Sequence, residues 1–177
     1  MTVLLVSETD TGATATQAIT LHSGLPEHQR VLIPTDFSPL ANQAIPYGYS
    51  TLPQGGRVKL VTVIPPWELP GPLMPHYRSR LSYQPTRHKQ VEEALYKLNS
   101  LIPPEARKRG IRTEVEVLEG QEVAKAIQQA AEKFGANLIC LGSHGRSGIS
   151  RMVLGSVAQK VMNGSRRPVL IVRAEVP

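Results

Sequence analysis

The sequence is poor in the residues that would make the simplest functional readings available. It holds one cysteine, Cys140, in 177 residues, so a disulfide framework or a cysteine zinc site is impossible within one chain. That cysteine lies inside the apolar run Leu138–Leu141 and reads as a small buried hydrophobe rather than a reactive thiol. Aromatic residues make up only 5%, which leaves the core to Val, Leu, Ile and Ala. No apolar stretch approaches the roughly 20 residues that span a bilayer. The N-terminal Val3-Leu-Leu-Val6 has no basic region before it and is too short for a signal core. These absences lead to the expectation of a soluble, cytoplasmic protein with no membrane partner.

Two phosphate-binding signatures are also missing. No segment fits the Walker pattern G-x4-G-K-[ST], and none fits the dinucleotide pattern G-x-G-x-x-G. No His/Asp/Glu set with metal-ligand spacing accompanies His144, and the other histidines (His22, His28, His76, His88) fall in irregular or polar stretches. No metal ligand and no catalytic residue is assigned. The net charge of +6 favours an anionic partner, but the basic residues are scattered and no run exceeds Arg107-Lys-Arg109. Nucleic-acid binding is therefore unsupported.

What is present is an alternation of strands and helices. Residues 1–29 read as an N-terminal extension: Thr2–Val6 has a strand's composition, and residues 7–29 show no convincing period. This segment packs on the domain, packs on a partner subunit, or is partly disordered. From 30 to 177 no composition shift divides the chain, so these residues form one domain. Arg30-Val-Leu-Ile33 begins a buried strand that runs into Pro34-Thr35-Asp36-Phe37-Ser38-Pro39. Ser38 followed by proline predicts a helix start, and Pro46 predicts irregularity over residues 42–46. Val58–Ile64 is the second strand. Residues 65–86 carry six prolines and Trp67; a mobile lid or partner surface is favoured there, with plain disorder as the alternative.

Val91, Ala94, Leu95, Leu98 and Leu101 then recur at helical spacing. Residues 104–109 add a short turn stopped by Gly110, and Thr113–Val117 alternates as an edge strand with one wet face does. Val123, Ala126, Ile127, Ala130, Ala131 and Phe134 outline the cleanest helix, closed by Gly135. Pro168-Val-Leu-Ile-Val172 is the last strand. The alternation implies an α/β domain, a parallel sheet with helices on both faces.

Between the apolar run at 138–141 and the helix begun by Val157-Ala-Gln-Lys-Val161 lies a long loop with the pattern G-x2-G-x9-G-S: Gly142, Gly145, Gly155 and Ser156. Glycines let main-chain amides approach a bulky anion. The amides of the following helix start, backed by the helix dipole, favour negative charge. Arg146 and Arg151 within the loop would add to it, and Ser156 is the expected N-cap. The ligand this predicts is a phosphate or a row of phosphates.

Taken with the strand ending in Pro-Thr-Asp-Phe-Ser, the strand Leu60–Ile64 and the closing Pro168–Val172, this loop resembles the universal stress protein family in its nucleotide-binding branch. The resemblance covers roughly residues 30–174. It implies an open, Rossmann-like sheet of five parallel strands in the order 3-2-1-4-5. In that order the topology reverses between strands 1 and 4, and ligands bind outside the carboxyl ends of strands at such a point. The resemblance also implies roles: Pro34, Thr35 and Asp36 hold the adenosine, and the main chain of Val63 faces adenine. Gly142 and Gly145 contact ribose and phosphate, while Gly155, Ser156 and the amide of Val157 cradle phosphates. Each has a plainer alternative, since Asp36 could cap the first helix, Val63 could be core, and Ser156 could be an N-cap alone.

The implied cofactor is ATP (or ADP/AMP), with Mg2+ as companion. The implied partners are an adenine nucleotide, a second copy in a homodimer through the last strand, and a regulatory protein. The function expected is an ATP-binding stress-response or regulatory module. A slow ATP hydrolase, or an interaction module without nucleotide dependence, are the alternatives.

Overall fold

In the computed structural model, residues 3–6, 29–64, 87–143 and 154–173 are described. The expectations placed on the 65–86 loop, on residues 7–28, and on His144, Gly145, Arg146 and Arg151 lie outside the described residues.

The elements run β1 (Val3–Val6), β2 (Arg30–Pro34), α1 (Pro39–Asn42), α2 (Ala44–Ser50), β3 (Arg57–Ile64), α3 (Arg87–Ser100), α4 (Pro104–Lys108), β4 (Arg112–Glu119), α5 (Val123–Phe134), β5 (Leu138–Gly142), α6 (Ser156–Gly164) and β6 (Val169–Val172). They build one six-stranded sheet in the order β1-β6-β5-β2-β3-β4. β2 to β6 are parallel. Counted from β2, the five of them stand in the order 3-2-1-4-5, as expected. The sixth strand departs from expectation. β1, from the N-terminal extension, pairs antiparallel with β6. The order 3-2-1-4-5 by itself would leave the last strand at the sheet edge; here β1 lies outside it. The physical reason is that an apolar strand with unpaired main chain attracts another strand, and Val3–Val6 supplies one from the same chain.

Alternation along the strands splits the core into two layers. Val31, Ile33, Val58, Leu60, Leu138, Cys140, Leu170 and Val172 face one way, against α2, α3 and α4. Leu32, Val61, Ile139, Leu141, Val169 and Ile171 face the other, against α5 and α6. As the scarcity of aromatics requires, Tyr49 and Phe134 are the only aromatic side chains buried among the described residues, and the rest of the buried hydrophobic set is aliphatic apart from Cys140. Cys140 is fully buried, its Sγ–H reaches the Ala44 carbonyl at 3.4 Å, and burial pushes its pKa up to about 12. It is the inert hydrophobe the sequence suggested.

The local signals act as read. Ser38 caps α1 by accepting from the Ala41 amide at 3.2 Å, with proline at the first turn. The helix breaks at Gln43, ahead of Pro46, and resumes as α2. Gly135 ends α5 in the left-handed conformation at φ 65°, where a side chain would be strained.

Candidate functional site

At the carboxyl ends of the parallel strands, where β2 and β5 are neighbours and the winding reverses, the fold opens a cleft of about 680 Å³. That volume suits a small-molecule ligand. Pro34, Thr35, Asp36, Val63, Gly142, Gly155, Ser156 and Val157 all line it. Of the nine residues singled out in the sequence, Gly145 lies outside the described residues.

The β2 side is a tight turn held by its own side chains. Thr35 is buried; its amide donates to Val61 O at 2.9 Å, and its hydroxyl donates to Asn42 Oδ1 at 2.7 Å. The same hydroxyl oxygen accepts from the Phe37 amide at 2.9 Å. Asp36 Oδ1 accepts from the Ser38 amide at 3.0 Å. Between them Phe37 sits at φ 66°, a left-handed conformation rare for a bulky residue. Such strain costs on the order of 1–3 kcal/mol and persists where surrounding bonds fix it. Here Asn42 Nδ2 also reaches the Phe37 carbonyl at 3.5 Å, and Lys97 Nζ stands 5.7 Å from the Phe37 ring centre. Asp36, beside this reversal, lines the cleft.

β3 outruns β2. The β2–β3 ladder ends at Pro34 opposite Val61, whereas β3 stays paired with β4 as far as Ile64 opposite Glu119. In a strand, alternate residues direct their N–H and C=O to the same side. Val61 O faces β2, since it accepts from Thr35, and Ile64 O faces β4, since it accepts from Gly120 at 3.2 Å. Val63 therefore turns its main-chain donor and acceptor toward β2, past the point where β2 has ended, and into the cleft.

The β5 side explains one glycine by packing. A Cβ on Gly142 would lie 2.9 Å from Ala41 Cα and 2.9 Å from Leu40 O. Only glycine lets α1 pass this close to the end of β5. Ser143, which the sequence reading did not single out, is buried and ties the loop base together. Its amide donates to Val172 O, and its carbonyl accepts from the Gly155 amide, both at 2.8 Å. This returns the chain to the strand end just before α6.

The helix start differs from expectation by one residue. Gly155, not Ser156, is the N-cap of α6, at φ −57° and ψ 145°. Its carbonyl accepts the first helical bond, from Gln159 N at 2.9 Å. Ser156 is thus the first helical residue. The amides at the start of α6, Ser156 and Val157 among them, belong to the donors without an intrahelical partner, and these two residues line the cleft.

A wall that sequence reasoning missed comes from α3. Arg87, Gln90, Glu93, Ala94 and Lys97 line the cleft, a stripe at helical spacing beside the apolar face of the helix. The periodicity that identified the helix also located this stripe, but only the docking of α3 shows what it faces. Arg87 Nε donates to Glu119 Oε1 at 3.2 Å; Nη2 lies 3.1 Å from the same oxygen, yet is buried and not aligned to hydrogen-bond to it. Val123, Ile127, Ile64 and Leu141 supply an apolar floor. Among the described residues no three His, Cys, Asp or Glu side chains gather as a metal site. No helix there is long and apolar enough to cross a membrane.

The sequence model of the universal stress protein family matches residues 27–173. The chain belongs to that family. Universal stress protein MJ0577 of Methanocaldococcus jannaschii is 30% identical over 159 residues, covering 82% of this chain and 95% of that protein. Universal stress protein YxiE of Bacillus subtilis is 42% identical over 84 residues, or 48% of this chain and 56% of that protein. Universal stress protein MJ0531 of Methanocaldococcus jannaschii is 39% identical over 82 residues, 46% and 45% of the two chains. The match thus spans about half the length of these last two universal stress proteins. Among solved structures, that of MJ0577 superposes with a TM-score of 0.68 at 26% identity, over 85% of this chain and 99% of that one. A universal stress protein in complex with cAMP shares the fold, with a TM-score of 0.56 at 21% identity over 84% of this chain and 99% of that one.

Proposed function

We propose that this universal stress protein binds an adenine nucleotide, ATP or ADP/AMP, in the switch-point cleft and acts as a nucleotide-dependent regulatory module in the stress response. The observation that carries the reading is the convergence of two kinds of donor on one cleft. The Val63 main chain opens on one side, and the free amides at the start of α6 open on the other. The first has the donor–acceptor pair that an adenine edge requires. The second has the dipole and unpaired N–H groups that phosphates favour. The cAMP bound to another protein of this fold supports the ligand class.

In this reading, adenine lies against Val63 and Ile64, and Asp36 takes a ribose hydroxyl. Thr35 acts indirectly, because its hydroxyl is committed to Asn42 and to the Phe37 amide. Pro34 ends the strand there. Gly142 keeps the cleft open by admitting α1, and Gly155, Ser156, Val157 and Gly145 receive the phosphates. Mg2+ would enter on the phosphates rather than on a protein carboxylate cluster. Loading the cleft would change what the surrounding surface presents to a regulatory protein partner. This is binding chemistry, and no step of hydrolysis is assigned to a side chain.

The test is calorimetry of the purified protein with ATP and with ADP in the presence of Mg2+, followed by analysis of the mixture for lost γ-phosphate. Asp36→Asn keeps an oxygen for the Ser38 amide but removes the charge. Gly155→Val puts a branched side chain where a phosphate would lie. Each is expected to weaken binding by roughly tenfold or more, the size of one lost charge-assisted hydrogen bond, with the melting transition kept. Unchanged affinity in both would remove the cleft as the nucleotide site, and rapid loss of the γ-phosphate would move the hydrolase reading into first place.

A further inference from the structure

α1 has only four residues, Pro39–Asn42, yet it touches both walls of the cleft. On one side it is seated against the end of β5, where a Cβ on Gly142 would stand 2.9 Å from both Ala41 Cα and Leu40 O. On the other side it ends in Asn42, whose amide donates to Ser38 O at 2.9 Å and whose side chain turns back to the end of β2. Asn42 is half-buried and is not one of the residues that line the cleft.

The Asn42 carboxamide closes a ring of hydrogen bonds. The Phe37 carbonyl can only accept, so Nδ2 faces it, at 3.5 Å. Oδ1 is left for the Thr35 hydroxyl, at 2.7 Å. That hydroxyl has its proton to give, because its oxygen accepts from the Phe37 amide at 2.9 Å. Phe37 is thus held at both its amide and its carbonyl while it stands at φ 66°, a conformation that a bulky residue keeps only where its surroundings enforce it. Asp36 lies between the two residues so held, and its Oδ1 takes the Ser38 amide at 3.0 Å.

We infer that Asn42 is a positioning residue for the nucleotide site: without touching the ligand, it holds the left-handed turn that sets the Asp36 carboxylate in the cleft. The inference rests on the reading above, in which Asp36 takes a ribose hydroxyl. Because α1 is also seated against Gly142, the same side chain fixes Asp36 relative to the β5 wall. A hydrogen bond weakens steeply with misalignment, so a turn that relaxes should lose ligand even with Asp36 intact.

The test is calorimetry with ADP and Mg2+ on the full-length chain, comparing the unaltered protein with Asn42→Leu, Asp36→Asn and the double variant. Leucine is of similar size and lacks both polar ends of the carboxamide. Asn42→Leu should weaken ADP about fivefold or more, but less than about twofold once Asp36→Asn is present, since two residues that act through one contact are not additive. Unchanged affinity in folded Asn42→Leu, or the same loss in both backgrounds, overturns the inference. Thr35→Val and Thr35→Ser cover the case in which Asn42→Leu does not fold. Valine removes the hydroxyl from the ring and should reproduce the loss; serine keeps it and should restore binding. Equal affinity in the two overturns the inference. If the unaltered chain takes up no ADP, the nucleotide reading falls, and a ligand-free crystal structure of the Asn42→Leu protein still decides the role of Asn42. Phe37 should leave its positive φ and the Asp36–Ser38 bond should open; an unchanged turn overturns the inference.

Discussion

The two ends of the sheet solve one problem in opposite ways. β4 is partly exposed along its whole length, and its sequence alternates charge with aliphatics: Arg112, Glu114, Glu116 and Glu119 around Val115 and Val117. Glu114 pairs with Arg57 and, at 3.4 Å, with Lys59; Glu116 pairs with Lys59 at 2.8 Å. Both cations also lie over the Phe134 ring, Arg57 Cζ at 5.5 Å and Lys59 Nζ at 5.3 Å from its centre. Among the described residues no strand lies outside β4. β6 carries no charge at all, and it has β1 outside it. A charged edge discourages pairing by its own side chains, whereas an apolar edge has to be covered by another strand.

That comparison predicts a graded response to substitution. The largest effect should come from Leu170→Ala, which hollows a buried site under the covered edge. The expected loss is about 2–5 kcal/mol in urea unfolding, and a loss well below 1 kcal/mol would mean β6 is not the closed end of the core. Glu116→Ala, on the other edge, should cost at most about 1 kcal/mol, because exposed ion pairs contribute little and Lys59 keeps Glu114. A cost near that of Leu170→Ala would erase the contrast between the edges.

The smallest effect is in pH. The Arg57 hydrogen bond, opposed by partial burial and helped by Lys59, holds Glu114 below its ordinary 4.5. Burial pulls Lys59 down, but the bonds and charges of Glu116 and Glu114 outweigh it and leave its pKa above 10.5. Glu114 therefore contributes stability above its unfolded value and loses it as pH falls through its lowered folded value. Lys59 contributes below its unfolded value and loses it as pH rises through its raised folded one. Glu114→Gln should lower the melting temperature slightly at neutral pH. The gap from the unaltered chain should close in acid; a gap that persists there would assign the loss to packing instead of charge.

Local chemistry made much of this molecule legible in advance. Ser38-Pro39 announced its helix, Gly135 its helix end, and the alternation of apolar runs its parallel sheet. The glycine spacing after β5 marked one wall of the cleft, and the family resemblance, not local chemistry, marked the other at Thr35 and Asp36. Yet Asp36 and Gly142 show how one residue can hold a second, purely local reason for being there: a bond to the Ser38 amide and the passage of α1. The N-cap shifted by one residue because serine and glycine both suit that position, and the hydrogen bond to Gln159 chose the glycine.

By itself the sequence determined the succession of elements, the division of each strand between two core layers and the glycine-bearing helix start. All of these rest on periodicities and backbone preferences that act within a few residues. Only the tertiary structure decided that β3 outruns β2 and opens the Val63 main chain, that a polar stripe of α3 walls the cleft, and that Val3–Val6 closes the sheet at β6. Each depends on contacts between segments far apart in the chain, and such contacts leave no periodic mark in either segment alone.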